Sequence, residues 1–223
     1  MLVLAIDTST PAVTAGVATL DTGVTVLATR VVVDARAHAE LVTPHVTESV
    51  GAAGVSLRDI EAVVCGAGPG PYTGLRAGVV TAAALSHSLD VPAYPVCSLD
   101  VMAAEVEPGD PFLVVSDARR REVYWARYSG GGERDTAPRV DPPAEVPVAV
   151  PGMRAAGDGA RMYESALGGT GVRVVEPRYP GVRGLVTTAA PELAEGRSPA
   201  PLAPVYLRRP HAVQPGERKR VSP

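Results

Sequence analysis

The sequence predicts an α/β protein made of two consecutive halves with the same element order. Three observations predict it. Short apolar runs recur between turn-forming residues; the first half orders them as three strands, then helix, strand, helix, strand, helix; and a Pro-Gly-Asp-Pro joint at 108–111 is followed by a restart of the alternation.

Residues 2–6 (LVLAI) are continuously apolar and stop at Asp7, the pattern of a strand buried on both faces. VTAGVATL (13–20) meets VTVLATRVVV (24–33) across Asp21-Thr22-Gly23, where the glycine suits a hairpin turn. A helix is expected over 38–53, with Leu41, Val42, Val46 and Val50 on one apolar stripe and Pro44 as its weak point. Strand 60–66, helix 73–89, strand 91–97 and a short helix over 98–106 follow, with Ser98 available as the cap of the last. In the second half, strands are expected at 112–117 and 122–128, joined by a turn of arginines, and a third near 134–140. VPVAV (146–150), a helix near 160–167, VRVV (172–175) and a helix near 183–195 continue the alternation. The expected division is 1–107, a reduced second unit 108–203, and a C-terminal segment with a basic tail at 204–223.

Composition excludes several classes. With 46% hydrophobic residues the chain is not of the disordered type, and nine aromatics (1 Trp, 7 Tyr, 1 Phe) mean aliphatic cores. A net charge of 21 − 24 = −3 argues against a surface that grips nucleic acid by itself, because phosphate neutralisation needs clustered cations. The opening MLVLAIDTST is too short an apolar stretch for an export signal or a membrane span, so a cytoplasmic location is expected. Cys65 and Cys97 end apolar runs and are too few for a disulfide scaffold or a four-thiolate zinc site.

The most unusual string is GAGPGPYTGLRAG (66–78), a glycine-rich turn between a buried strand and a helix. Such turns expose N–H groups to anions. Here Pro69 and Pro71 remove donors and no Walker or Rossmann spacing follows, so a rigid structural or docking turn is favoured over a phosphate cradle. The helix after it is apolar on two sides: Leu75, Val79, Ala82 and Leu89 mark one, while Gly74, Gly78, Thr81, Leu85 and Ser88 mark a small-residue side. One face is expected to pack on the sheet and the other on the helix at 38–53, on a partner chain, or on both. His38 and His45 sit two helical turns apart, about 10 Å by rise, too far to share a metal; no metal site is expected. No activated nucleophile is identifiable, and the one catalytic-looking hint is that Asp7 and Asp117 each end a buried strand, one in each half.

Taken together, AIDTST, HAELVTPH, GPGPYTGLRAG, SDARRREVYWARY, AGDGA (156–160) and PVYLRRP (204–210) resemble the TsaB (YeaZ) family of bacterial tRNA threonylcarbamoyladenosine biosynthesis subunits, over nearly the whole chain. The resemblance implies the actin/Hsp70-like ATPase (ribonuclease H-like) fold in two domains, the second reduced. It implies a non-catalytic subunit that pairs with a TsaD-like transferase, and with a TsaE-like ATPase, for N6-threonylcarbamoylation of the adenosine following the anticodon in tRNAs reading ANN codons. Partner-binding residues are expected among His38, Leu41, Val42 and His45 on the first helix and Tyr72, Thr73, Leu75, Arg76 and Val79 on the second. Leu75→Asp or Val79→Asp is then expected to disrupt assembly while leaving at least part of the fold intact. Asp7, Thr8, Ser9, Asp117, Gly157 and Gly159 are expected to line a degenerate nucleotide cleft, since Ala118-Arg119-Arg120-Arg121 replaces a glycine-rich phosphate turn. The expected cofactor list is empty, save for ATP or ADP held weakly or shared across an interface. A homodimer is expected when the chain is alone, and tRNA contact only through the complex, first at the basic tail 218–220. The alternative is an ATP-dependent transferase of the same fold using Asp7 and Asp117 as magnesium ligands.

Overall fold

A computed structural model describes residues 1–208. The first sheet contains β1 (Leu2–Asp7), β2 (Ala12–Leu20), β3 (Val24–Val33), β4 (Ala62–Gly66) and β5 (Ala93–Val96), in the order β3-β2-β1-β4-β5. Strands β1, β2 and β3 form an antiparallel meander, and β4 and β5 run parallel to β1. The second sheet repeats this plan with β6 (Phe112–Asp117), β7 (Val123–Tyr128), β8 (Arg139–Asp141), β9 (Arg154–Ala156) and β10 (Arg173–Val175), ordered β10-β9-β6-β7-β8 with the same parallel and antiparallel pairings. Strand for strand the two sheets are duplicates, as the element order predicts.

The helices are α1 (His38–Ala52), α2 (Tyr72–Leu89), α3 (Ser98–Ala103), α4 (Asp158–Met162) and α5 (Val182–Ala194). Strand alternation sends Leu4 and Ile6 to one face of the first sheet, where Val42, Val46 and Val50 of α1 and Leu75, Val79 and Ala82 of α2 cover them. Val3 and Ala5 face the other side, against Val182, Leu185, Val186, Ala189 and Leu193 of α5. The second sheet packs Phe112 and Val114 against Leu99, Met102 and Ala103 of α3, while Leu113 and Val115 face a cluster that includes Met153, Leu167 and Val172.

Six expectations are corrected. The helix at 183–195, assigned by sequence to the second unit, covers the first sheet; α3, assigned to the first, covers the second, and α3 and α5 pack on each other. VPVAV is not a strand: Val146 ends a short 3-10 turn at Pro143–Glu145, and the parallel strand is β9, the run Arg154-Ala155-Ala156. The helix near 160–167 is the five-residue α4 starting at Asp158, and the strand near 134–140 shrinks to β8 at Arg139–Asp141. Ser98 is the first residue inside α3 rather than its cap, and its hydroxyl is turned to Asp7.

Candidate functional site

Both central strands end in an aspartate, and the two aspartates have different surroundings. Asp7 is 1% exposed. Its carboxylate accepts from Ser98 Oγ at 2.6 Å and from the Ser9 backbone N–H and Oγ, each at 2.8 Å. Burial holds its pKa above the usual carboxylate range in spite of these donors. Around it the glycine-rich turn closes tightly. A Cβ on Gly66 would overlap Asp7 Oδ2 and lie 2.8 Å from Ser98 Oγ, and one on Gly70 would overlap the Ser9 carbonyl. Thr8 Oγ1 donates to the Gly74 carbonyl at 2.7 Å and accepts from the Gly78 N–H at 3.0 Å, locking β1 onto α2. The turn's free space is filled by the chain's own Ser9 and Thr8, so these residues do not fit a nucleotide phosphate or a magnesium ion on Asp7.

Asp117 is 8% exposed and faces its own arginine. Its Oδ1 accepts from the Arg119 N–H at 3.1 Å, and Oδ2 lies 3.6 Å from Arg119 Nε. Arg119, Arg120 and Arg121 all adopt left-handed backbone, with φ of 61°, 56° and 61°. That conformation costs a non-glycine residue about 1–2 kcal/mol. Gly157, with φ of 104°, lets the chain pass so close to β6 that a Cβ would overlap the Val115 carbonyl; one on Gly159 would lie 2.8 Å from the Ser116 carbonyl carbon. Gly157 and Gly159 thus let the chain at the start of α4 lie directly against β6. Asp158, between the two glycines, is 4% exposed and accepts from the Asp117 N–H at 3.3 Å.

Helices α1 and α2 leave a different surface open. A groove of about 400 Å³ runs between them, lined by Thr43, Val46, Thr47 and Leu57 on one side and Val80, Thr81, Ala84, Leu85 and Ser88 on the other. Val80 is 65% exposed at its rim. At the start of α2, Tyr72 stacks on Tyr206 of the C-terminal segment with centroids 5.2 Å apart, Arg76 Cζ sits 3.7 Å over the Tyr72 ring, and Arg76 Nε donates to Tyr206 Oη at 2.7 Å.

Residues 27–173 match the family described as TsaD: tRNA N6-adenosine threonylcarbamoyltransferase. An uncharacterized protein of Mycobacterium tuberculosis is 50% identical over 210 residues, covering 94% of this chain and 93% of that one. The tRNA threonylcarbamoyladenosine biosynthesis protein TsaB of Bacillus subtilis is 36% identical over 129 residues, 57% of this chain and 55% of that one. The solved YeaZ of Pseudomonas aeruginosa superposes with a TM-score of 0.77 at 27% identity, over 92% of this chain and 99% of that one. The chain belongs to the TsaB/YeaZ family. Its α/β fold of two mixed sheets is the one it shares with the solved YeaZ.

In this TsaB/YeaZ chain the expected partner-binding residues fall into two groups. Tyr72, Thr73 and Arg76 are exposed, and Leu41 is half-buried. Leu75 and Val79, at 0% and 6% exposure, lie in the core of the first unit, as does Val42 at 2%. They cannot meet a partner without unfolding α2 or α1, which corrects their assignment and the expectation that Leu75→Asp or Val79→Asp leaves at least part of the fold intact. His38 is buried, its Nε2 bonds the Thr10 carbonyl at 2.7 Å, and Gly74 lies against its ring. His45 is buried as well, at 4% exposure. Gly74 and Gly78, read as a small-residue face for a neighbour, are used up by His38 and Thr8. Sequence reasoning missed Val80 and Ala84. The Val79-Val80 pair was the available signal, because a helix lying on a sheet buries one of two adjacent residues and leaves the other outside. The basic tail 218–220 lies outside the described residues.

Asp158 yields a stability prediction. Burial, with the neighbouring Asp117 charge adding to it, pushes its pKa from 3.8 to about 6. A raised carboxyl pKa means that ionisation opposes folding: the contribution is fully present below about pH 4 and is lost as the pH rises through about 6. Asp158→Asn keeps an oxygen for the Asp117 N–H and removes the charge. It is expected to be more stable than wild type by on the order of 2 kcal/mol at pH 7.5, with the gain vanishing near pH 4. Urea unfolding at the two pH values checks this; an equal difference at both would refute the assignment.

Proposed function

We propose that this chain is a non-catalytic subunit in tRNA threonylcarbamoyladenosine biosynthesis, and that the open face of α1 and α2 docks a TsaD-like transferase. The family supplies the pathway. The observation that carries the non-catalytic reading is the enclosure of Asp7, which three donors and the glycine turn seal away from any metal or phosphate. The groove between α1 and α2 supports the docking reading: it is apolar, rimmed by the exposed stripe Thr73, Arg76, Val80 and Ala84, and uninterrupted by any charged side chain along its lining. A TsaE-like ATPase and tRNAs reading ANN codons complete the reading, and the same face accounts for a homodimer when the chain is alone.

Val80→Asp with Ala84→Asp is expected to leave the thermal midpoint within about 2 °C of wild type, since exposed substitutions change stability little. Co-purification with a co-expressed TsaD-like subunit is expected to fall at least tenfold, roughly the loss of 1.4 kcal/mol or more at an interface centre. Wild-type recovery of the partner by a folded double variant would remove this face from consideration. Calorimetry of the isolated chain with Mg-ATP separates the enzyme alternative: the enclosed Asp7 predicts no heat of binding, and micromolar affinity would reinstate the transferase using Asp7 and Asp117.

A further inference from the structure

We propose that the arginine turn at 119–121 is a docking surface for the phosphate backbone of RNA. Arg119, Arg120 and Arg121 follow one another at φ of 61°, 56° and 61°, a run of left-handed residues that a turn serving only to reverse the chain would assign to glycine or asparagine. All three side chains are exposed. The acids beside the turn are already engaged: Asp117 pairs with Arg119, and Glu122 pairs with Arg208. Among the described residues neither Arg120 nor Arg121 has an ion-pair partner. Arg208 also donates to the Ala118 carbonyl at 3.0 Å, pinning the base of the turn from the C-terminal segment. Burial and the charge of Arg120 together hold the Arg208 pKa below its ordinary value, so the cations are close enough to repel one another. A strained, pinned turn that presents uncompensated guanidinium groups is preorganised for oxyanions, which guanidinium binds through paired N–H donors.

Among the described residues all three arginines stand at the surface, which favours an extended polyanion whose charges are spaced along a strand over an enclosed single nucleotide. The choice of RNA among polyanions rests on the proposed role in tRNA modification; the anion preference itself rests only on charge and backbone geometry. A net charge of −3 for the whole chain is compatible with this, because the turn is a local excess.

The test uses the full chain alone and a fluorescein-labelled, unmodified tRNA transcript, followed by anisotropy between about 50 and 200 mM salt. Wild type is compared with Arg120→Gly/Arg121→Gly and with Arg120→Lys/Arg121→Lys. The glycine variant relieves the left-handed strain while removing two charges, so its thermal midpoint is expected to equal or exceed that of wild type. Its affinity at low salt is expected to fall at least tenfold, and the slope of log K against log salt by about two. The lysine variant is expected to keep most of the slope. Absence of tRNA binding by wild type at about 50 mM salt overturns the proposal and leaves an acidic protein segment as the occupant. A wild-type slope in the glycine variant, or a lowered midpoint accompanying lost binding, overturns it too, the latter by marking the arginines as structural. Partner capture by the α1/α2 face is read in a separate assay, so failure of either reading leaves the other intact.

Discussion

Leu75→Asp is expected to unfold this protein. Leu75 is 0% exposed and packs in the cluster that holds Leu4, Ile6, Val63 and Cys65 of the first sheet together with Val42 and Val46 of α1. Removing the leucine forfeits about 2–3 kcal/mol of transfer free energy, and a carboxylate in its place adds a desolvation cost of several kcal/mol with no partner to offset it. Against a total stability of about 5–15 kcal/mol the sum is decisive. Circular dichroism at neutral pH is expected to show loss of the folded signal, or a urea midpoint near zero. Val80→Asp, five positions on and 65% exposed, is the control: its stability is expected to stay within about 0.5 kcal/mol of wild type. A folded, wild-type-like Leu75→Asp would mean that α2 lies on the sheet with a different face.

Gly66→Ala is expected to cost about 3 kcal/mol or more, for a different reason. Gly66 ends β4 beside β1, where an added methyl would overlap Asp7 Oδ2. The carboxyl has nowhere to retreat, because Ser98 and Ser9 hold it by three hydrogen bonds of 2.6–2.8 Å. Accommodating the methyl either breaks some of these bonds inside a buried site, at about 1–3 kcal/mol per unsatisfied group, or pushes β4 out of register with its neighbours. Gly23→Ala, at a position where an added Cβ meets nothing within 4 Å, is expected to change stability by less than about 1 kcal/mol. Denaturant unfolding of both variants checks the comparison, and equal midpoints would show that Asp7 is not enclosed as described.

Much of the first half was legible because its signals are local and strong. LVLAI before Asp7 has no option but a doubly buried strand, Asp21-Thr22-Gly23 turns the chain between two β-branched runs, and the stripe Val42, Val46, Val50 places α1 despite Pro44. The second half was harder. Arg154-Ala155-Ala156 carries almost no strand propensity, yet it becomes β9 because its backbone pairs on both sides, with β6 and β10. VPVAV looks like a strand and is not one; neighbouring prolines at 142 and 143 start a 3-10 turn, and Val146 reaches the core from its end.

The candidate site divides in the same way. That Asp7 and Asp117 end equivalent strands can be read directly from the chain, and so can the absence of any Walker or Rossmann spacing. What surrounds each aspartate cannot. Ser98 meets Asp7 across 91 positions and Arg208 meets the 118–119 turn across about 90, contacts that sequence proximity does not encode.

By itself, the sequence determined the α/β class, the duplicated strand order and the family, since these rest on short-range periodicity, turn residues and contiguous motifs. Only the tertiary structure decided which face of α2 is outside, which sheet α3 and α5 each cover, and whether the glycine turn could receive a phosphate. The physical reason is that a helix with two apolar faces, or a glycine with free space on paper, is resolved only by what packs against it. Here Thr8, Ser9 and His38, brought from the first strand and the first helix, claim the glycines of α2 and its turn, and Val80 is left facing outward.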